Sequence, residues 1–202
     1  MTDLSMIDLR TRRRPAAPGR RWTWCAVAVV PMLAAAAAAA QSPDAMIREA
    51  LSAAPPNLQD SVTVRDLEDN LLREGEGEFT CYPAPEGLAG PMCLDQEWQR
   101  WMAAWQAGEP FTASRVGIAY MMAGDSPSGG ASNIDPSATE PTADNAWVVE
   151  GPHVMIIVPD GQDLEGLPTS LDTDGPYVMW RGTPYEHIML PVDERPAQRT
   201  VD

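Results

Sequence analysis

The most apolar, most β-like segments lie near the C-terminal end, from Trp147 to Val192, which reads WVVEGPHVMIIVPD, then a polar link, then GPYVMWRGTPYEHIMLPV. Short apolar runs of this kind, bounded by turn residues, predict buried antiparallel strands. VGIAYMM at 116–122 predicts another strand. Val62 and Val64 alternate with polar neighbours, Glu68-Asp69-Asn70 has turn chemistry, and Glu78 to Tyr82 then predicts the returning strand of a hairpin. Two stretches carry the helical period instead. Met46, Ile47 and Leu51 recur at helical spacing after Asp44, the expected N-cap, and Pro55-Pro56 ends that helix. In LDQEWQRWMAAWQAGEP, Leu94, Trp98, Trp101, Met102 and Trp105 fall on one side, Asp95, Glu97 and Arg100 fall elsewhere, and Gly108 and Pro110 stop the helix. The expected fold is therefore one small α+β domain over 41–202. An antiparallel sheet of about five or six strands is packed on one face by the tryptophan helix. A long polar loop at 123–146 interrupts it, and loops of that length in a compact domain are functional or loosely ordered.

The first forty residues do not follow this pattern. Six arginines (Arg10, Arg12, Arg13, Arg14, Arg20 and Arg21) precede an uncharged run from Trp22 to Ala40 that closes on seven alanines. A basic segment, an apolar run and a small-residue end describe a signal peptide over 1–40, with cleavage near Ala40. The competing reading is a retained membrane anchor, since the run approaches bilayer-spanning length. Arg20-Arg21 alone is a weak pointer to twin-arginine export.

Cleavage changes the charge and the cysteine count. The chain has 14 basic residues, all arginine, and 29 acidic ones. Removing six arginines with Asp3 and Asp8 leaves 8 basic and 27 acidic residues, a net charge of −19. Such a domain is soluble and repels nucleic acid and anionic lipid. Cys25 leaves as well, so Cys81 and Cys93 remain as an even pair in an oxidising compartment and are expected to form a disulfide. The mature protein is expected to be periplasmic or secreted, without stable membrane insertion. Its partner is an unidentified ligand or envelope component.

Candidate chemistry is sparse. GPHVMI at 151–156 is echoed by GPYVMW at 175–180 and by EHIML at 186–190. Residues two apart in a strand share a face, so His153 points with Met155 and His187 with Met189. Imidazole and thioether together suit copper, the one cofactor these residues suggest. A two-residue Gly182-Thr183 loop would pair Trp180 with Tyr185 and set Trp180 on the same face. The alternative reading of these side chains is plain core packing. The same choice applies to the tryptophan stripe, which lines a ligand groove or packs on the sheet. Asp125, Asn133, Asp135, Glu140, Asp144 and Asn145 supply oxygen atoms suited to calcium, but without the spacing of an EF-hand. Asp172 and Asp174 before Gly175 read as an ordinary turn. The chain contains no GxGxxG, P-loop, HExxH or GxSxG pattern, and no lysine for Schiff-base chemistry.

The run ASNIDPSATEPTADNAWVVEGPHVMIIVPD, the later GPYVMWRGTPYEHIMLPV and the pair TCYP and GPMCLD resemble a family of exported bacterial hypothetical proteins of unknown function. The resemblance covers most of the chain after residue 40 and implies one exported domain. It implies nothing about catalysis. Three functions are thus in play: a non-enzymatic exported binding protein, a periplasmic copper protein using His153, Met155, His187 and Met189, and a small secreted hydrolase with His153 or His187 as base.

Overall fold

The computed structural model describes residues 41–85, 89–159 and 164–198. The signal-peptide reading of 1–40 lies outside the described residues.

The chain opens with α1 (Pro43–Ser52). Its N-cap is Ser42 rather than Asp44. The Ser42 hydroxyl accepts the Ala45 N–H, Pro43 takes the first turn, where no amide donor is needed, and Asp44 adds favourable charge there. Ten strands and a second helix follow: β1 (Thr63–Arg65), β2 (Leu71–Arg73), β3 (Thr80–Tyr82), β4 (Met92–Leu94), α2 (Gln96–Ala107), β5 (Gly117–Met121), β6 (Ala131–Ser132), β7 (Trp147–Val148), β8 (His153–Ile157), β9 (Tyr177–Met179) and β10 (His187–Pro191). Eight of them form one sheet in the order β2-β1-β3-β4-β5-β8-β10-β9, and β6 and β7 pair separately.

The α+β class holds, but the sheet is larger than the expected five or six strands and is mixed, because β1 and β3 run parallel. The hairpin closes differently from its prediction. The strand returning from β1 is β2, and the segment containing Cys81 pairs with the other edge of β1. Asp66 directs the turn: its carboxylate accepts the amides of Glu68 and Asn70 and the Asn70 side chain, while Asp69 takes a left-handed φ of 66°.

Cys81 and Cys93 are directly opposite each other on β3 and β4 and are joined by a disulfide. The bridge lies two residues before Asp95, the N-cap of α2. Asp95 accepts the Trp98 N–H at 2.9 Å within the helix and the Ile118 N–H at 2.7 Å from β5, so one carboxylate starts the helix and fixes it to the sheet. Gly108, with φ 66°, ends α2 in the left-handed conformation that glycine adopts without strain.

Alternation along β4 and β5 divides the core between the two faces. Cys93 and Tyr120 pack with α1 on one side, and Leu94, Ala119 and Met121 pack with α2 on the other. Two helices therefore cover opposite faces, where one covering helix was expected. A second departure concerns Glu97, expected off the packed face but 1% exposed. Burial opposes its ionisation, yet the Ser114 N–H, the Ser114 hydroxyl and Arg100 outweigh this and hold its carboxyl below the usual range. Among the described residues, no helix is long and apolar enough to cross a membrane.

Candidate ligand-binding cavity

Between α2, the sheet face it covers and the 123–146 segment lies a cavity of about 650 Å³. That is the size range of small-molecule sites. Its described lining includes Trp98, Trp101, Trp105 and Trp180 and six methionines, with Asp125, Glu150, His153 and His187 among the polar groups. The tryptophan stripe of α2 thus serves both readings, packing on the sheet and lining the cavity.

Strand register sets the floor. Met121 is paired with His153 across β5 and β8, Met155 with Met189 across β8 and β10, and Met179 with His187 across β9 and β10. Cross-strand partners and residues two apart share a face, so these six side chains form one patch. His153, Met155, His187 and Met189 are all buried, and all line the cavity.

Their backbone positions are spread along the two strands. His153 faces Pro191, four residues beyond His187 on β10, which separates the two histidines by about 14 Å along the sheet. Each imidazole is also drawn towards the start of its own strand. His153 Nδ1 lies 2.7 Å from the Gly151 carbonyl oxygen and His187 Nδ1 lies 2.9 Å from that of Tyr185. A carbonyl only accepts, so each neutral ring carries its proton on Nδ1 and keeps its lone pair on Nε2. Among the described residues there is no group of three or more His, Cys, Asp or Glu side chains arranged to hold a metal.

His187 is enclosed by aromatic rings. Trp98, Trp101 and Trp180 contact it nearly edge-to-face at 5.2, 5.5 and 5.3 Å between centroids. Burial lowers its pKa to about 4, and the nearby His153 adds to that effect. At neutral pH the ring is uncharged. Trp180 reaches this position by a route other than the expected tight hairpin. The connection between β9 and β10 spans 180–186, Met179 rather than Trp180 faces His187 in the ladder, and Trp180 itself takes a left-handed φ of 56°.

The 123–146 segment roofs the cavity. Three indole N–H groups hold it by backbone carbonyls: Trp180 to Ser132 at 2.6 Å, Trp105 to Pro136 at 2.9 Å and Trp147 to Gly129 at 3.1 Å. Asn133 and Asp125 bond outside the segment, to the Thr169 carbonyl and the Glu150 amide, while other polar residues serve its own turns. Asp135 accepts from Ser137, and Asn145 bonds to Thr142 and Glu140, so these calcium candidates act as turn formers. Asp172 likewise bonds to Ser170 within its turn.

The sequence did not point to the polar end of the cavity. Glu150 is 1% exposed. Its Oε1 accepts from the Tyr177 hydroxyl at 2.8 Å and from Arg195 Nε at 2.9 Å, while Oε2 is buried without a partner. Burial first, then the Glu150 charge, pushes the Tyr177 hydroxyl well above its ordinary range. Asp125 accepts the Glu150 N–H at 2.8 Å. Burial raises the Asp125 carboxyl, and the His153 imidazole opposes that rise. The local sequence VVEGP was a faint signal, an acidic residue after an apolar pair and before a Gly-Pro turn. Nothing local marked Asp125 or Arg195 as its neighbours. Close backbone packing builds this corner: a Cβ on Gly90 would overlap the Gly124 carbonyl oxygen.

The hydrogen bond described for each imidazole is to a backbone carbonyl, Gly151 for His153 and Tyr185 for His187. Compared with known proteins, the chain matches no family model, no curated protein and no solved structure.

Proposed function

We propose that this is an exported, non-enzymatic binding protein that holds a small, largely apolar molecule in the cavity between α2, the sheet and the 123–146 roof. The observation that carries this reading is the cavity itself. About 650 Å³ of space is walled by four tryptophans and six methionines, with a smaller number of polar groups among the lining residues. Methionine side chains adapt to varied ligand shapes, and tryptophans offer large rigid contact area. Export is supported by the character of residues 1–40 and by the Cys81–Cys93 bridge, which suits an oxidising compartment.

The test uses the neutral fluorophore N-phenyl-1-naphthylamine. It should bind saturably, and the binding should be lost in Ala138→Phe, which places a ring on the partly buried roof at the cavity wall. Saturable binding that survives Ala138→Phe would place the site elsewhere, and no binding would count against the reading.

Copper is a second reading, favoured by one observation. Each histidine has Nδ1 anchored, keeps its lone pair on Nε2 and has methionines on neighbouring positions: Met121 and Met155 for His153, Met179 and Met189 for His187. This arrangement suits two separate one-histidine sites for the soft Cu(I) ion. A competition titration with a Cu(I) chelator should then show two equivalents, with one lost in each of His153→Ala and His187→Ala. Absence of binding would exclude it.

A further inference from the structure

The cavity changes character along its length. At the end where β8 begins, Asp125 and Glu150 form its wall; Met155 and Met189 lie midway; Trp101 and Trp180 enclose the far end around His187. The two ends are about 14 Å apart, the rise of four strand residues.

Carboxylates outnumber guanidinium groups at the first end. Glu150 is neutralised by Arg195, whose Nη2 lies 2.8 Å from its Oε1. Asp125 has no arginine partner: its carboxylate is held by the amides of Glu150 and Gly90, and the His153 imidazole is the basic group that favours its charge. Two carboxylates therefore share one guanidinium and one imidazole at a partly buried wall, and Glu150 Oε2 is buried there without a partner. An anionic head group would meet repulsion there. The acidic chain, at a formal −15, also draws cations towards the site.

We propose that the ligand is an elongated apolar amine, its ammonium head against Asp125 and its tail along the methionines towards the tryptophans. This rests on the binding reading above and specifies its ligand class. The ammonium donates hydrogen bonds to the Asp125 carboxylate, and the tail displaces water from thioether and indole surface.

The test is calorimetric titration of the purified protein with three probes that share one tail: decylamine, decanol and decanoate, each below its micelle concentration. Decylamine should bind about ten-fold or more tighter than decanol, the effect of a charge-assisted hydrogen bond in a partly buried site, and decanoate should bind weakest. In Asp125→Asn, which keeps a carbonyl acceptor for the Glu150 N–H, the preference for the amine over the alcohol should fall to within about three-fold, as for one lost charged partner. All binding should vanish in Ala138→Phe. Equal affinity for the three probes, lost in Ala138→Phe, would overturn the head-group assignment and leave the binding reading standing. An amine preference that persists in Asp125→Asn would overturn the role of Asp125. No binding by any probe would overturn both.

Discussion

Protonation of His187 should cost the folded protein stability, by an amount that follows from its surroundings. The ring is 2% exposed, with Nδ1 bonded to the Tyr185 carbonyl and three tryptophans around it. Its pKa falls from 6.5 to about 4 on folding, and burial is the first cause. Between these values the unfolded chain takes up a proton that the folded protein refuses. The stability associated with the neutral ring is therefore complete above pH 6.5 and declines as the pH falls towards 4. At 1.36 kcal/mol per pH unit, the loss across that window is about 3 kcal/mol. Urea unfolding of wild type and His187→Gln at pH 7, 5.5 and 4 isolates it, because subtraction removes the shared contributions of the carboxylates. The wild type should lose about 3 kcal/mol more than the variant across the window. Parallel pH profiles would refute the reasoning and show that the indole rings stabilise an imidazolium well enough to cancel its desolvation.

Two further consequences are open to direct measurement. Replacing Cys81 and Cys93 together by alanine should lower unfolding free energy by about 3 kcal/mol, read from denaturant midpoints at constant m-value, since the bridge closes a loop of sequence separation 12. Trp180→Phe removes the N–H that holds the roof at Ser132 but keeps a ring beside His187; it should cost roughly 1–3 kcal/mol, and hydrogen exchange should rise over residues 131–134 and not in β8. Unchanged exchange in the roof would show that this bond does not hold it.

The parts legible in the sequence are those where a period persists. Twelve residues of α2 keep their apolar side and end at a glycine that takes the left-handed conformation, so helix and stop were both readable. The five-residue strands β5, β8 and β10 show the alternation that placed His153 with Met155 and His187 with Met189. The Cys81–Cys93 pairing followed from compartment and count. Three-residue strands are too short to carry a period, and β2, whose Leu71 is 54% exposed, also lacks a buried face that would announce it. The parallel pairing of β1 with β3 depends on tertiary packing, so no local feature encoded it. For the site, the sequence pointed to four of the floor residues, His153, Met155, His187 and Met189, but not to Met121 and Met179, which join them through strand register. Asp125 and Glu150 come together only through the close approach of glycine-containing turns at Gly90 and Gly124.

The proposed ligand site is the space under the 123–146 roof. The most direct measurement is saturable binding of the neutral fluorophore to wild type and Ala138→Phe, with near-ultraviolet circular dichroism confirming that both are folded. One site per chain is expected in the wild type and none in the folded variant. Equal binding by both proteins, or none by either, would contradict it.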